Sequence, residues 1–291
     1  MKGIAFAPGH ISAFFEPVYS DQNMDRLGSR GAGINISLGA LSQLTVKPVS
    51  KQHLITININ GSPSNAPVTK LALKYLIGET PLRITVDTML DLPVSQGFGM
   101  SAGGALSSTL ALADLLNIPR DNAVKAAHYA EVQLRTGLGD VIASSFGGID
   151  IRREAGLPPW GMLEHIPGKY DIVVCVIGKK IETKKILSDT TRVREIASYG
   201  RYCTKKLLEK PSIEHLFSLA WEFTRKIGLA DEMVIQAIEA ANQYGMASMC
   251  MLGNSVFAMG DTPMLCKTLS IFGKVFCSTV DERGARVLKE G

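Results

Sequence analysis

A glycine-rich stretch with small hydroxyl side chains, PVSQGFGMSAGGALSS, runs from Pro93 to Ser108 and leads into an apolar segment. Glycines leave room for backbone N–H groups to converge on one point, and we expect a helix from Ala105 to Leu116 to follow. The first N–H groups of that helix and the positive end of its dipole favour a bound anion such as phosphate. A turn that only caps a buried helix is the alternative interpretation. The candidate phosphate-binding residues are Pro93, Gly97, Gly99, Met100, Ser101, Ala102, Gly103 and Gly104.

Two common phosphate-binding motifs do not fit this stretch. A P-loop needs a lysine directly after its second glycine, and no lysine lies between Thr85 and Arg120. The dinucleotide fingerprint G-x-G-x-x-G does not fit either, because Gly97, Gly99 and Gly103 give G-x-G-x-x-x-G. The sequence therefore disfavours both a P-loop NTPase and a Rossmann fold.

Charged side chains with regular spacing follow further along the chain. On a helix from Asp121 to Arg135, the side chains of His128, Glu131 and Arg135 would share one face. Such a face can hold functional groups, or it can be a solvated face with an intrahelical ion pair. Asp140 lies at the start of the next short helix, where a carboxylate can serve as a helix cap or as a catalytic group.

The composition limits the classes of function. The 291 residues are 46% hydrophobic and 20% charged, which is ordinary for a globular chain long enough for two domains. A net charge of +4 is too small to indicate a nucleic-acid partner, and the lysines between positions 179 and 185 are typical of a solvated surface. Neither a membrane-spanning run nor a signal peptide is present, and the five cysteines lack C-x-x-C spacing. We therefore expect a cytoplasmic protein with reduced thiols and no nucleic-acid or membrane partner.

Strands and helices that would position these residues can be predicted from periodicity. GIAFAPGHISAFFEP predicts a strand that is interrupted at Pro8-Gly9, and a polar, glycine-rich loop is expected from Asp21 to Gly33. HLITINI and LRITVD alternate like half-buried strands, with a helix between them from Val68 to Leu76. YDIVVCVIG predicts a strand after residue 167, followed by a mixed helical region from Asp189 to Asn242 and then by short strands with one helix.

The order of these segments resembles that of the GHMP kinases, a family that includes galactokinase, homoserine kinase and mevalonate kinase. The family's first motif is P-G-K followed by an apolar stretch and a glutamate. Pro8, Gly9 and Glu16 match it, and His10 stands where many members carry lysine.

Two further motifs of the family match, and a last one matches only in part. The glycine-rich stretch is similar to P-x-x-x-G-L-G-S-S-A, with Pro93, Gly97, Gly99, Ser101 and Ala102 as the matching residues. A glutamate before a G-x-x-D-x-x-x-x-x-x-G-G run is represented by Glu131, Gly137, Asp140, Gly147 and Gly148. The family's last glycine-rich loop is reduced to Gly253 within MCMLGNSVFAMG.

Phosphoryl transfer from ATP to an alcohol explains why these residue types occur together. The reaction needs backbone amides around the phosphates, a Mg²⁺ ion that bridges them, and a group that orients or deprotonates the acceptor hydroxyl. Mg²⁺ prefers oxygen ligands and keeps several waters, which makes Ser101 and Glu131 the candidate metal ligands. Asp140 then remains for the acceptor hydroxyl, as a base or as an orienting group. The resemblance supports the same catalytic set of Asp140, Ser101 and Glu131.

The segments APGHISAFFEP, GSRGAGI, GFGMSAGGALS, GLGD and MLGNSVFA are together similar to one branch of this family, the archaeal pantoate kinases. The resemblance implies phosphorylation of the primary hydroxyl of (R)-pantoate to 4-phosphopantoate, in coenzyme A biosynthesis, with ATP and Mg²⁺. A hydroxy acid needs a cation for its carboxylate, and the candidate acceptor-binding residues are Arg152, His128 and Ser29. A surface ion pair is the alternative interpretation of Arg152.

The resemblance also implies the architecture and leaves two other functions open. It implies an α+β, two-domain GHMP kinase fold, with a ribosomal-protein-like α/β domain at residues 1–166 and a ferredoxin-like domain at residues 167–291. Pantoate and ATP are the expected partners, and a homodimer is a candidate assembly. The alternatives are a GHMP kinase for a mevalonate- or homoserine-like alcohol and a catalytically inactive, ligand-sensing protein with this fold. The presence of Ser101, Glu131 and Asp140 together argues against the inactive protein.

Overall fold

A computed structural model describes residues 1–19, 21–50, 52–179 and 190–289 of the chain. The lysines predicted to coat a surface at positions 180 to 185 lie outside these ranges. The described residues form two β-sheets with helices packed against them, in the element order of an α+β protein.

The first sheet is organised around a long hairpin. Strand β1 (Lys2–Val18) pairs antiparallel with β2 (Gly28–Pro48), and the register shifts after Pro8 and after Ser12. Because β2 is 21 residues long, its first part also pairs with β6 (Ile149–Glu154) and its last part with β5 (Leu82–Leu90). The remaining strands are β3 (Leu54–Ile59), β4 (Ser62–Pro63), β7 (Met162–Ile166) and β12 (Arg286–Leu288). The sheet order is β12-β1-β2-β5-β3-β4, with β6 and β7 beside the start of β2.

The prediction of a loop from Asp21 to Gly33 is wrong for the second half of that range. A short 3-10 turn at Met24–Arg26 separates the two strands, and β2 already begins at Gly28. Gly31 has a φ of 143°, and a Cβ on it would lie 2.9 Å from the Cα of Phe15. The glycines here serve close strand pairing rather than a mobile loop.

Helices in the first half lie close to their predicted positions. They are α1 (Pro67–Ile77), α2 (Met100–Leu116), α3 (Arg120–Leu134) and α4 (Asp140–Phe146). Helix α2 begins at Met100 and not at Ala105, so Gly103 and Gly104 lie inside the helix. A Cβ on Gly103 would lie 3.3 Å from the Cβ of Ala40 in β2. These glycines therefore let α2 pack closely against the sheet instead of forming the loop itself.

The second half forms a four-stranded antiparallel sheet. Its strands are β8 (Asp171–Val176), β9 (Gly245–Met249), β10 (Ser255–Gly260) and β11 (Lys274–Thr279). Its helices are α5 (Thr190–Glu209), α6 (Ile213–Ile227), α7 (Glu232–Ala241) and α8 (Thr262–Leu269). The order β11-β8-β10-β9 is that of a ferredoxin-like sandwich, and the predicted fold class is confirmed.

The two halves share part of their apolar core. The rings of Phe14 and Phe15 in β1 lie 6.3 and 6.2 Å from the ring of Phe223 in α6. The last strand, β12, returns to pair with β1 of the first sheet. The division into residues 1–166 and 167–291 stays a prediction, and the end of the second segment lies in the first sheet. In the described part of the chain, no helix is both long and apolar enough to span a membrane.

Candidate active site

A cavity of about 310 Å³ opens between the loop before α2, the start of α4 and the loop after β9. The predicted site residues that line it are Ser29, Gly97, Gly99, Met100, Ser101, Ala102, Glu131 and Asp140. Pro93, Gly103 and Gly104 lie outside this lining, because the two glycines face the interior of the first half. The structure thus brings the second and third sequence motifs together around one space.

The loop before α2 depends on two glycines. Gly97 and Gly99 have φ angles of 79° and 63°, in the left-handed region that glycine adopts without strain, and Gly99 directly precedes the helix. A Cβ on Gly97 would also lie 2.8 Å from the Cβ of Cys250. The loop therefore needs glycine both for its backbone angles and for its contact with the second half.

The first turn of α2 is suited to an anion. It contains no acidic side chain, and the first N–H groups of an α-helix have no acceptor within the helix. Ser101 lies in this turn with its side chain exposed. Helix starts of this kind bind phosphate groups, and the phosphate cradle at this position stays a prediction.

The reduced glycine motif near Gly253 has a packing role. A Cβ on Gly253 would overlap the backbone of Gln96, so the loop after β9 can lie directly on the glycine-rich loop. The Met251 N–H donates a hydrogen bond to the carbonyl oxygen of Ser12 at 3.1 Å. Met249 and Met251 are buried, as expected for packing residues, and Met251 also lines the cavity together with Leu252.

Two of the carboxylates that line the cavity lie close to each other. Glu131, near the end of α3, is buried, and its carboxylate accepts a hydrogen bond from the Val141 N–H at 3.4 Å. Burial and the neighbouring charge of Asp140 raise the pKa of Glu131 well above its usual value. A Cβ on Gly137 would overlap Glu131 Oε1 and lie 3.0 Å from Asp140 Oδ2, so only glycine fits between the two carboxylates.

The donor set at this position fits a hard divalent cation. Two adjacent carboxylates repel each other, and a bound cation would relieve that repulsion. Among the described residues, no group of three or more His, Cys, Asp or Glu side chains is placed to hold a metal ion. An ion bound by Glu131 and Ser101 would need further oxygen ligands from water and phosphate, which is the coordination that Mg²⁺ favours.

A buried series of charged side chains lies behind Asp140. His10 Nδ1 is 2.7 Å from Asp140 Oδ1, and His10 Nε2 is 2.9 Å from Asp150 Oδ1. Arg152 Nη1 donates to the other oxygen of Asp150. Burial alone would lower the pKa of His10, but the charge of Asp150 and the hydrogen bonds to both carboxylates raise it above its usual value. Burial opposes ionisation of Asp150, yet Arg152 and His10 lower the pKa of that carboxyl to about 2.

Sequence reasoning did not assign His10 or Asp150 to the site. His10 is a polar residue inside an otherwise apolar strand, and it stands where the resemblance expects lysine. Asp150 lies two residues before Arg152 on one strand, so both side chains point to the same face of the sheet. These two local signals were available, but neither one indicates its partner.

Arg152 is not the surface ion pair that the alternative interpretation proposed. The residue is buried, and its Nε and Nη2 atoms have no hydrogen-bond partner among the described residues. A Cβ on Gly139 would lie 2.8 Å from Arg152 Nε and would overlap the Ser29 hydroxyl, so both groups lie beside the residue that precedes Asp140. Arg152 and Ser29 line a second cavity of about 190 Å³, which shares Ser29, Leu138 and Gly139 with the first.

His128 is not among the residues that line either cavity. Its ring is fully buried, and Nε2 donates to the carbonyl oxygen of Met24 at 3.3 Å. Burial lowers the pKa of His128 to about 4, so the ring is neutral near pH 7 and supplies no cation. The solvated-face interpretation is wrong for His128 and Glu131, which are buried, whereas Arg135 is exposed at the end of α3.

Comparisons with known proteins show which family this chain resembles in sequence. Residues 66–148 match the family described as GHMP kinases N terminal domain. A pantoate kinase from Methanocaldococcus jannaschii is 34% identical over 91% of this chain and 96% of its own length. One from Thermococcus kodakarensis is 34% identical over 88% of this chain and 86% of its own length.

Solved structures show the same relationship at the level of the fold. A structure described as a phosphotransferase related to the CoA biosynthesis pathway has 30% identity and a TM-score of 0.88, and the match covers 99% of this chain and 98% of that one. An L. major mevalonate kinase in complex with R-mevalonate has 15% identity and a TM-score of 0.67, over 98% of this chain and 97% of that one, and shares the fold alone. On these identities and coverages, the chain belongs to the GHMP kinase family, where it groups with the pantoate kinases.

Proposed function

We propose that this protein transfers the γ-phosphoryl group of ATP to the primary hydroxyl of (R)-pantoate, which yields 4-phosphopantoate and ADP. The observation that carries the choice of acceptor is buried Arg152, whose Nε and Nη2 donors have no partner among the described residues and whose Nε lies beside Gly139, the residue preceding Asp140. A buried cation with free donors fits a carboxylate ligand. The relatives named pantoate kinases support the same acceptor.

The spacing of the two ends of the site fits a short hydroxy acid. His10 links them, since its Nε2 lies 3.1 Å from Arg152 Nη1 and its Nδ1 lies 2.7 Å from Asp140 Oδ1. The guanidinium and the Asp140 carboxylate are therefore separated by one imidazole ring and its two contacts. Pantoate carries its carboxylate and its primary hydroxyl at opposite ends of a four-carbon chain, so one molecule has a group for each end of the site. Ser29, at the junction of the two cavities, is placed to bind a polar group of the acceptor.

The mechanism follows from the groups around the larger cavity. The backbone of the glycine-rich loop and the start of α2 bind the phosphates of ATP, and Ser101 and Glu131 would hold Mg²⁺. That ion, when bound, neutralises charge on the phosphates. His10 occupies Asp140 Oδ1, so the other carboxylate oxygen is available to orient the acceptor hydroxyl and to accept its proton. The aligned hydroxyl then attacks the γ-phosphorus, and ADP leaves.

Some expectations concern the whole molecule rather than this site. A cytoplasmic location, a lack of nucleic-acid and membrane partners, and a homodimeric assembly stay predictions from the sequence. His128 stays a candidate for acceptor binding only through the loop that it supports at Met24, since its ring lines neither cavity.

The choice of acceptor is tested first by a kinase assay. ADP release, measured by a pyruvate kinase and lactate dehydrogenase couple, should be fastest with (R)-pantoate and much slower with mevalonate or homoserine. Mass spectrometry should identify the product as 4-phosphopantoate. A higher kcat/KM with another alcohol would show that the protein is a kinase with a different acceptor. Pantoate binding without ADP release would favour a catalytically inactive, ligand-sensing protein.

Glu131→Gln tests the metal site. The substitution keeps the size of a buried side chain and removes its charge, so the fold should persist. The Mg²⁺ concentration that gives the half-maximal rate should rise at least about tenfold, because even the loss of a group that only supports a metal ligand weakens metal binding by that factor. Initial rates against Mg²⁺ at saturating ATP measure this. Glu164→Gln is the matched control, because Glu164 is about half exposed and pairs with Arg153 on the surface. An unchanged Mg²⁺ dependence in Glu131→Gln would contradict the assignment.

Asp140→Asn tests the chemical step. The amide keeps the shape of the side chain but is a poor proton acceptor, so kcat should fall by about 10²- to 10⁴-fold, in line with general-base contributions. The dissociation constant for pantoate, measured by calorimetry, should change little. A turnover number close to that of the wild type would contradict the role of Asp140 in the chemical step.

Arg152→Ala tests acceptor recognition. The loss of charge-assisted hydrogen bonds should raise the KM for pantoate by about tenfold to a hundredfold, whereas the KM for ATP should stay unchanged. Arg153→Ala is the matched control, since this neighbour is about half exposed and pairs with Glu164. A fall in kcat with an unchanged KM for pantoate would place Arg152 at the transferred phosphate instead.

A further inference from the structure

Asp150 is the most enclosed acidic group near the site, and it touches neither cavity. It is fully buried in β6, outside the lining of both spaces. Its Oδ1 lies 2.9 Å from His10 Nε2 and 3.5 Å from the Asn35 amide nitrogen, and its Oδ2 accepts from Arg152 Nη1. Both oxygens are therefore used inside the protein, and none is left for a ligand.

We propose that Asp150 is a positioning residue that couples acceptor binding at Arg152 to the orientation of Asp140, with His10 as the connecting imidazolium. The proposal rests on the function proposed above, because it assigns the acceptor carboxylate to Arg152 and the acceptor hydroxyl to Asp140.

Two carboxylates flank the His10 ring, and an ionised carboxylate can only accept a hydrogen bond. In the doubly protonated ring, Nδ1 donates to Asp140 and Nε2 donates to Asp150. A neutral ring could donate to only one of them, and its Nε2 would then accept from Arg152 Nη1. With the ring doubly protonated, the four groups alternate in sign, from Asp140 through His10 and Asp150 to Arg152. Such an arrangement offsets the cost of burying each charge, which an unpaired charge would not.

Other charged groups near His10 affect its proton or the charge of its carboxylate partners. Arg152 Nη1, at 3.1 Å from Nε2, disfavours the proton on His10, while Asp150 between them favours it. Glu131 on α3 acts on Asp140 rather than on His10 directly. His165 on β7 pairs across from Asp150 and makes a small contribution to lowering the pKa of that carboxyl. Without the negative charge of Asp150, His10 would face Arg152 and would lose its proton at a lower pH.

The same carboxylate also determines which donors Arg152 presents. Because Asp150 holds Nη1, the planar guanidinium is fixed with Nε and Nη2 unpaired. On the other side, His10 occupies one oxygen of Asp140 and leaves the second for the hydroxyl. The loss of Asp150 should therefore disturb acceptor binding and turnover together.

Asp150→Asn is the test, because it preserves size and removes the charge. We expect kcat to fall and the KM for pantoate to rise, each by about tenfold or more, with the KM for ATP unchanged. His10 is protonated below its raised pKa in the wild type, and the variant lowers that pKa. The alkaline limb of the kcat/KM profile for pantoate should therefore move to lower pH.

Asp281→Asn is the matched control. Asp281 is also a buried aspartate that pairs with an arginine, Arg286, at 3.0 Å, but it lines neither cavity. The Asp281→Asn variant should be less stable than the wild type, and its profile of kcat/KM for pantoate against pH should not shift. A shift of equal size in both variants, or a change in the KM for pantoate alone in Asp150→Asn, would overturn the coupling.

The protonation state of His10 gives a second readout that needs no variant of Asp150 and no substrate. In wild-type protein labelled with ¹⁵N-histidine, NMR should show both ring nitrogens of His10 protonated at pH 7, with His10→Gln used to assign the signal. A neutral ring that accepts a hydrogen bond from Arg152 would overturn the proposal. Because activity with pantoate is measured separately, a wrong acceptor and a wrong role for Asp150 give different results.

Discussion

A buried series of four charged side chains, Asp140, His10, Asp150 and Arg152, supports the acceptor side of this site. Asp140 and Arg152 can face the acceptor region from two elements because His10 and Asp150 satisfy their far sides. Charges that are buried in this way are stable only while each of them is paired, so this series of side chains resists small displacements of any one group. The backbone has to leave space for it as well, since a Cβ on Gly33 of β2 would overlap the His10 ring.

The larger cavity belongs to both halves of the molecule. The glycine-rich loop packs directly on the loop after β9, where neither Gly97 nor Gly253 has room for a side chain. The hydrogen bond from Met251 to Ser12 and the aromatic packing of Phe223 on β1 hold the halves in the same relation. The loop that is proposed to bind the phosphates is therefore also the loop that joins the halves.

The electrostatics of the larger cavity differ from those of a P-loop. None of the described residues that line it is a lysine or an arginine. The negative charge of a nucleotide therefore has to be balanced by the helix start and by a cation held between oxygen ligands. Burial and the charge of Asp140 raise the pKa of Glu131 against the smaller opposing effect of Arg152, and a bound metal ion would favour the ionised carboxylate.

Local sequence signals determined much of the architecture and half of the site. The glycine-rich loop, the helix that starts at Asp140 and the face that carries Glu131 could be predicted, because backbone angles and helical periodicity depend on residues close in the chain. Only the tertiary structure decided which charged groups are buried and what they contact. His10 and Asp150 meet although 140 positions separate them, Arg152 is buried with free donors, and His128 is buried and lines neither cavity. Burial and pairing are set by elements that are far apart in sequence, and no local pattern encodes which of them will meet.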